Sequence, residues 1–236
     1  ATNGINVAHE LGHRKSFFSR TCSKLLLMPS QYMHFYIEHN FGHHVNVGTA
    51  EDPATAKYKQ SLYSFWITSV IGQYIGAWKL QLKLLKISKY KFFSIKNDMM
   101  FYVIFQLMFI YLIYFNYGIT VTIYSLIISV ISFLFLETIN YIEHYGLSRK
   151  KDKNGRYERV KTIHSWNSNH VVGRLVLYEL TRHSDHHFIS SKKYQVLESI
   201  DESPQLPYGY PTSILLSMVP PLWFKIMNPR VESYQN

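Results

Sequence analysis

Cysteine is nearly absent: Cys22 stands alone among 236 residues. A disulfide framework needs several cysteines and is excluded, and the same shortage argues against a thiolate metal site. Cys22 itself reads as a small buried or lipid-facing thiol. Charge is sparse too, at 17%, where soluble domains usually carry roughly 25%. Acid is the rarer sign, 15 Asp and Glu against 25 Lys and Arg, for a net +10. Neither shortage means disorder, because 16% of the residues are aromatic and 47% hydrophobic. The length suits one domain with a sizeable core. The chain opens Ala1-Thr2-Asn3-Gly4, without Met or a signal-peptide pattern, and reads as a piece of a longer protein.

The charge shortage is total between Met99 and Leu136. One spanning helix needs about 20 apolar residues, and this run is nearly twice as long. Asn116-Tyr117-Gly118 near its middle supplies a turn signal. The expectation is a helical hairpin, with transmembrane helices at about 99–115 and 119–138. A soluble helix pair would need a polar face, and these segments have none. Lys79, Lys83, Lys86, Lys89, Lys91 and Lys96 precede the run, and Arg149, Lys150, Lys151, Lys153, Arg156, Arg159 and Lys161 follow it. Basic flanks favour the cytoplasm, so both ends should lie there, with the tip pointing outward. The uncharged stretch Gln60 to Trp78 reads as an interfacial helix. The Pro-rich stretch 207–224 reads as membrane-skimming, and Asp152-Lys153-Asn154-Gly155 as a solvated turn. The positive charge flanks spans and no nucleic-acid fold is recognisable, so no nucleic-acid partner is expected.

Histidine is abundant, with twelve in the chain. Three clusters stand out: His9-Glu10-Leu11-Gly12-His13, His39-Asn40-Phe41-Gly42-His43-His44 and His183-Ser184-Asp185-His186-His187. His144 stands alone in Asn140-Tyr141-Ile142-Glu143-His144-Tyr145-Gly146. Residues three or four apart share a helix face. His9 with His13, His39 with His43, and His183 with His186 and His187 should therefore point together. Neutral imidazole is the commonest metal ligand, and all-nitrogen ligation suits iron at a redox centre. The imidazoles in the clusters and at His144 exceed what one ion can bind, which implies two metals. Glu10, Glu38, Glu143 and Asp185 neighbour these histidines and are candidate acceptors for the outer ring N–H groups, or ligands themselves. His34, His164 and His170 fall outside the pattern and read as non-ligating. His9-Glu10-Leu11-Gly12-His13 also matches the H-E-x-x-H pattern of zinc metalloproteases. That alternative, a membrane zinc protease, leaves the other clusters without a role.

The chain resembles the bacterial membrane alkane 1-monooxygenases, within the wider membrane desaturase–hydroxylase superfamily. The resemblance rests on the three clusters, on Glu51-Asp52-Pro53-Ala54, on Asn140-Tyr141-Ile142-Glu143-His144-Tyr145-Gly146-Leu147, on Asn154-Gly155-Arg156-Tyr157-Glu158-Arg159 and on His164-Ser165-Trp166-Asn167-Ser168-Asn169-His170. Leu180-Thr181-Arg182-His183, Pro204-Gln205-Leu206-Pro207 and Pro220-Pro221-Leu222-Trp223 extend it. The clusters alone specify only the superfamily; the segment around His144 is the more selective marker. The resemblance implies an all-α, multi-pass protein of the bacterial inner membrane, with a cytoplasmic histidine-rich diiron region, of which residues 1–236 form part. It implies two iron ions held by His9, His13, His39, His43, His44, His144, His183, His186 and His187. It also implies dioxygen as co-substrate, an n-alkane substrate, membrane lipid as surroundings, and electrons from rubredoxin fed by its reductase. The expected reaction is terminal hydroxylation to a 1-alkanol, with no protein nucleophile or general base. Another membrane diiron hydroxylase or desaturase is the nearest alternative.

Overall fold

A computed structural model of the chain describes residues 2–235. The elements in order are α1 (Thr2–Gly12), α2 (Phe17–Leu27), α3 (Phe35–Glu38), a π-turn (His39–His43), α4 (His44–Asn46), α5 (Leu62–Ile87), α6 (Asp98–His144), α7 (Val171–Val176), α8 (His183–Phe188), α9 (Tyr210–Ser217) and α10 (Pro220–Gln235). No strand occurs among the described residues; Lys151 with Tyr157 and Asn167 with Gln205 form isolated bridges. Helix therefore dominates, as the apolar runs and the histidine spacing lead one to expect. The chain divides into two compact units, Ala1–Gly42 with Ile71–Leu136, and His43–Val70 with Glu137–Asn236.

In the first unit α1 lies against α2, and Ser23 Oγ donates to the Ala8 carbonyl at 2.6 Å. A Cβ on Gly12 would come within 3.2 Å of Ser23 Oγ, so the missing side chain lets the backbones approach. Lys24 reaches Asp98 Oδ2 at 2.5 Å, tying α2 to the start of α6.

Among the described residues, α6 is the one helix long and apolar enough to cross a membrane. Only 22% of its most apolar window is buried, so it is not the covered core helix of a soluble protein. The helix breaks at Gly118, whose φ of 77° and ψ of −179° belong to a region essentially reserved for glycine. In a straight helix Gln106 and Phe133 would lie roughly 40 Å apart. Instead both meet the same short stretch. Gln106 Oε1 accepts from the Met33 N–H at 3.2 Å, and Phe133 stacks on Tyr32 with centroids 5.0 Å apart. Ser129 Oγ donates to the Pro29 carbonyl at 2.7 Å. The run thus reverses direction at Gly118.

In the second unit, aromatic packing fixes the end of α6. Tyr141 and Tyr145 sit on Trp223, with centroids 5.6 and 5.5 Å away. Trp166 donates its indole N–H to the Tyr145 carbonyl at 2.9 Å and its backbone N–H to the Glu143 carbonyl at 2.8 Å. Two donors at the start of α5 grip the same helix end: Trp66 Nε1 bonds Thr138 Oγ1 at 3.1 Å and Ser69 Oγ bonds Glu137 Oε2 at 2.6 Å. His144 is thereby held in a rigid setting. The turn at Asp152 forms as its sequence suggests, with Oδ1 accepting from the backbone of Asn154 and Arg156 at 2.8 and 2.9 Å.

Candidate metal centres

Within the second unit, four fully buried imidazoles from three separate stretches of chain converge: His43, His144, His183 and His187. α6 delivers His144 at its last residue, and α8 delivers His183 and His187 one turn apart on one face. Their Nε2 atoms form a tight run. His43 lies 3.2 Å from His187, His187 lies 2.9 Å from His183, and His183 lies 3.0 Å from His144.

The groups behind these rings orient them. Asp52 Oδ2 sits 2.9 Å from His43 Nδ1, so that nitrogen carries the proton and Nε2 turns a lone pair inward. Asp52 is itself fixed, accepting from Thr55 Oγ1 at 2.5 Å and from the Ala54 N–H at 3.0 Å. Burial alone would raise the Asp52 carboxyl, but the His43 ring and the Thr55 hydroxyl outweigh it and hold the group below its ordinary value. The His187 imidazole is pushed well below its ordinary value, by burial first and by His183 and its other imidazole neighbours next. It is therefore neutral near pH 7, the form that binds metal.

The donor set fits a metal ion. Ring nitrogens crowded this closely cannot all be paired by N–H donation among themselves, whereas one cation satisfies every inward lone pair. Nitrogens bound at about 2.0–2.1 Å to one ion sit roughly 3 Å from each other, as these do.

The other cluster histidines form two smaller groups. In the first unit His13 Nε2 is 3.4 Å from His9 Nε2 and 3.2 Å from His39 Nε2, and Phe35 stacks on the His39 ring at 4.7 Å. In the second unit His44 and His186 pair with ring centroids 4.9 Å apart.

One expectation about a shared face needs correction. His39 and His43 do not point together: His39 joins His9 and His13, while His43 joins His187. A π-turn spans His39–His43 in place of the expected α-helical turn. His186 also faces His44, with centroids 4.9 Å apart, while its ring stays 5.7 and 5.6 Å from those of His183 and His187.

The four carboxylates have different fates. Glu143 lies beside the metal-facing nitrogens, with Oε2 3.2 Å from His183 Nε2 and Oε1 accepting from the Tyr210 hydroxyl at 2.9 Å. Asp185 accepts from Lys192 Nζ and from the Glu198 N–H, both at 2.7 Å, and so anchors the loop after α8. Glu10 forms an ion pair with Arg14 one turn along α1. Glu38 is buried against Gly42, where a Cβ would come within 2.7 Å of Oε1. Asp52 is the carboxylate that reasoning from sequence neighbours missed; its signal was the Asp-Pro turn nine residues beyond His43.

The side chains of the three remaining histidines join neither set, although the His164 backbone hydrogen-bonds the His144 ring. His164 Nδ1 accepts from the Lys161 N–H at 3.0 Å while Nε2 faces Glu158 at 3.5 Å. His34 packs against Tyr32 and Tyr74, and His170 is exposed before α7.

The fatty acid desaturase family profile matches residues 1–215. Alkane 1-monooxygenase 2 of Alcanivorax borkumensis is 43% identical over 98% of this chain and 60% of its own length. The alkane 1-monooxygenase of Acinetobacter baylyi is 41% identical over 98% of this chain and 57% of its own. The hydroxylase component of the xylene/toluene monooxygenase of Pseudomonas putida is 28% identical over 94% of this chain and 59% of its own. The chain thus spans about three-fifths of the length of the curated relatives it matches.

Proposed function

Because the chain belongs to the fatty acid desaturase family, we propose that it is the greater part of a membrane diiron alkane 1-monooxygenase. The reaction joins an n-alkane, dioxygen, two electrons and two protons to give a 1-alkanol and water. The observation that carries this reading is the convergence of His43, His144, His183 and His187 in a buried, all-nitrogen set. These four serve one iron, and His9, His13 and His39 of the first unit are further ligand candidates, as are His44 and His186 of the second. Bound iron supplies the oxidising power for an unactivated C–H bond, which offers acid–base catalysis no charge to exploit. The chain's own task is to hold and orient. Asp52 keeps the His43 tautomer, Tyr210 restrains Glu143, and burial keeps the His187 imidazole neutral.

The limbs before and after Gly118 act as a transmembrane hairpin, about 99–115 and 119–138, with the histidines on the cytoplasmic side of a bacterial inner membrane. The substrate partitions into the same apolar phase. Rubredoxin delivers the electrons to the cytoplasmic face, steered by its basic character. The likeness to alkane 1-monooxygenases at about 40% identity supports the alkane over an aromatic substrate, given the 28% to the xylene/toluene enzyme. A zinc protease built on His9, Glu10 and His13 does not account for the four-imidazole set.

The test uses the full-length gene expressed with a rubredoxin and its reductase. Octane, hexadecane and toluene are supplied under labelled dioxygen. Labelled 1-alkanols, with iron near two per chain, are expected. Benzyl alcohol alone would move the reading to the aromatic branch, and turnover without dioxygen would end it.

A further inference from the structure

The short connection between α5 and α6 is ordered on one side and bare on the other. α5 ends in a Schellman turn: the Tyr90 N–H bonds the Leu85 carbonyl at 2.9 Å, the Lys89 N–H bonds the Lys86 carbonyl at 3.2 Å, and Lys89 takes a φ of 58°. The chain then folds back along the helix. Phe92 stacks on Trp78 with centroids 6.1 Å apart, and Gln81 Nε2 donates to the Lys96 carbonyl at 3.0 Å. Asn97, fully buried, donates to the Phe92 carbonyl at 2.9 Å and caps α6 by accepting from the Met100 N–H at 3.2 Å.

The outer side of this strap has no such company. Phe93 is 85% exposed, Ile95 80% and Ile87 68%. Around them Lys79, Lys83, Lys86, Lys89, Lys91 and Lys96 are all exposed. None of the six makes an ion pair with a described carboxylate, and no Asp or Glu occurs from Pro53 through Asn97. By contrast, Lys24 pairs with Asp98, Lys161 with Glu158 and Lys192 with Asp185. Immediately after the strap begins the apolar run of α6.

We propose that the strap, residues 88–97 with the last turn of α5, is an anchor for anionic phospholipid. Phe93 and Ile95 enter the acyl region of the leaflet, while Lys83, Lys86, Lys89 and Lys91 take headgroup phosphates. Exposed apolar tips beside unpaired cations match a leaflet surface, which offers both phases within one side-chain length. A water-soluble acidic protein would satisfy the lysines and leave the outward Phe93 and Ile95 in water. Each lysine near an anionic surface strengthens the attraction, and salt weakens it. The inference rests on the membrane reading of α6 given above.

The experiment uses the full-length protein, Cys22→Ser, in nanodiscs of phosphatidylcholine with or without phosphatidylglycerol. Nitroxide labels go separately on Phe93→Cys and on Ile127→Cys, the latter within the second limb of α6. Accessibility to dioxygen against a water-soluble nickel chelate reports depth. Both labels are expected to be lipid-immersed in the anionic disc. Position 93 becomes shallower in pure phosphatidylcholine, in high salt, and when Lys83, Lys86, Lys89 and Lys91 are changed to Gln. Phosphatidylglycerol co-purified with that variant falls to its share in the bulk membrane. A water-exposed label at 127 would remove the membrane reading and this inference together. With 127 immersed, a water-exposed label at 93 overturns the inference alone. So does an immersed label at 93 with the same depth in both lipids, and so does burial of 93 only when an acidic electron-carrier protein is added.

Discussion

The two larger histidine groups are assembled in different ways. In the first unit, His9 and His13 are one turn apart at the end of α1, and His39 joins them from a short turn; His13 is only half-buried. In the second unit, His43, His144, His183 and His187 arrive from three stretches with more than a hundred residues between the first and the last, and all four are buried. Local helical spacing is enough to bring His9 and His13 together, and one tertiary contact adds His39. The second needs the whole unit to close, with Asp52, Trp66, Ser69 and Trp166 holding the ends of the segments that carry the rings. A four-imidazole set is therefore a readout of correct folding as well as a candidate metal site.

The sharpest way to break this comparison is to remove one ring from each group. His183→Ala should lower labelled 1-alkanol formation by more than about 100-fold, because losing even an outer partner of a metal ligand costs 10–100-fold. Its iron content should fall by one equivalent per chain. His13→Ala should also stop turnover while keeping the iron of the buried set, visible as a retained component in the Mössbauer spectrum. Loss of all iron from either variant would show that the two groups are one cooperative unit.

The supporting carboxylates sharpen it further. Asp52→Asn leaves the His43 ring in place but replaces the acceptor at Nδ1, so iron affinity measured by chelator competition should drop by about 10–100-fold. Glu10→Gln breaks an ion pair with Arg14 that is partly exposed, and the same assay should change by less than about threefold.

These contrasts also mark what could be read from the residues alone. The charge-free run and its Gly118 turn signal are properties of neighbouring residues, and so are the pairs His9 with His13 and His183 with His187. Helical spacing exposes all of them directly. The division between His39 and His43 was hidden, because the two lie at opposite ends of a π-turn that nothing in His39-Asn40-Phe41-Gly42-His43 announces. Asp52 was hidden for another reason. Its contact with His43 depends on a loop closing over nine residues, while Glu10 and Asp185, nearer in sequence, had competing cations at Arg14 and Lys192. Proximity along the chain is a poor guide to which carboxylate a ring will meet.

Backbone conformation offers a comparison of the same two units. Gly118 and Gly146 have φ of 77° and 72°, so alanine at either should cost about 1–3 kcal/mol. A Cβ at Gly118 meets nothing within 4 Å, whereas one at Gly146 would lie 2.8 Å from Val231 Cγ2. Gly146→Ala should therefore be the more destabilising in denaturant titrations of the detergent-solubilised protein, and Val231→Ala should recover part of the difference. Equal losses would mean that α10 yields freely and does not brace the end of α6.

The smallest expected effect concerns the cationic loop of the second unit, set against the unpaired lysines of the first. Glu158 accepts from Lys161 Nζ and from the Lys150 N–H, and its carboxyl is lowered to about 2, chiefly by the Lys161 contact. A carboxyl lowered on folding stabilises the protein fully above its ordinary value near 4.5, and that stabilisation disappears as pH falls from there toward about 2. The group is partly exposed, so solvent screening limits the contribution to about 1 kcal/mol or less. Glu158→Gln should thus lower the melting temperature by no more than about 2–4 °C at pH 6–7. The two melting curves should converge as the pH approaches 2. Lys83→Gln, in the strap region where no carboxylate answers the lysine, should leave the detergent-state melting temperature unchanged across the same range. A pH-independent gap for Glu158→Gln would show that the side chain acts through packing against His164, with its charge playing no part.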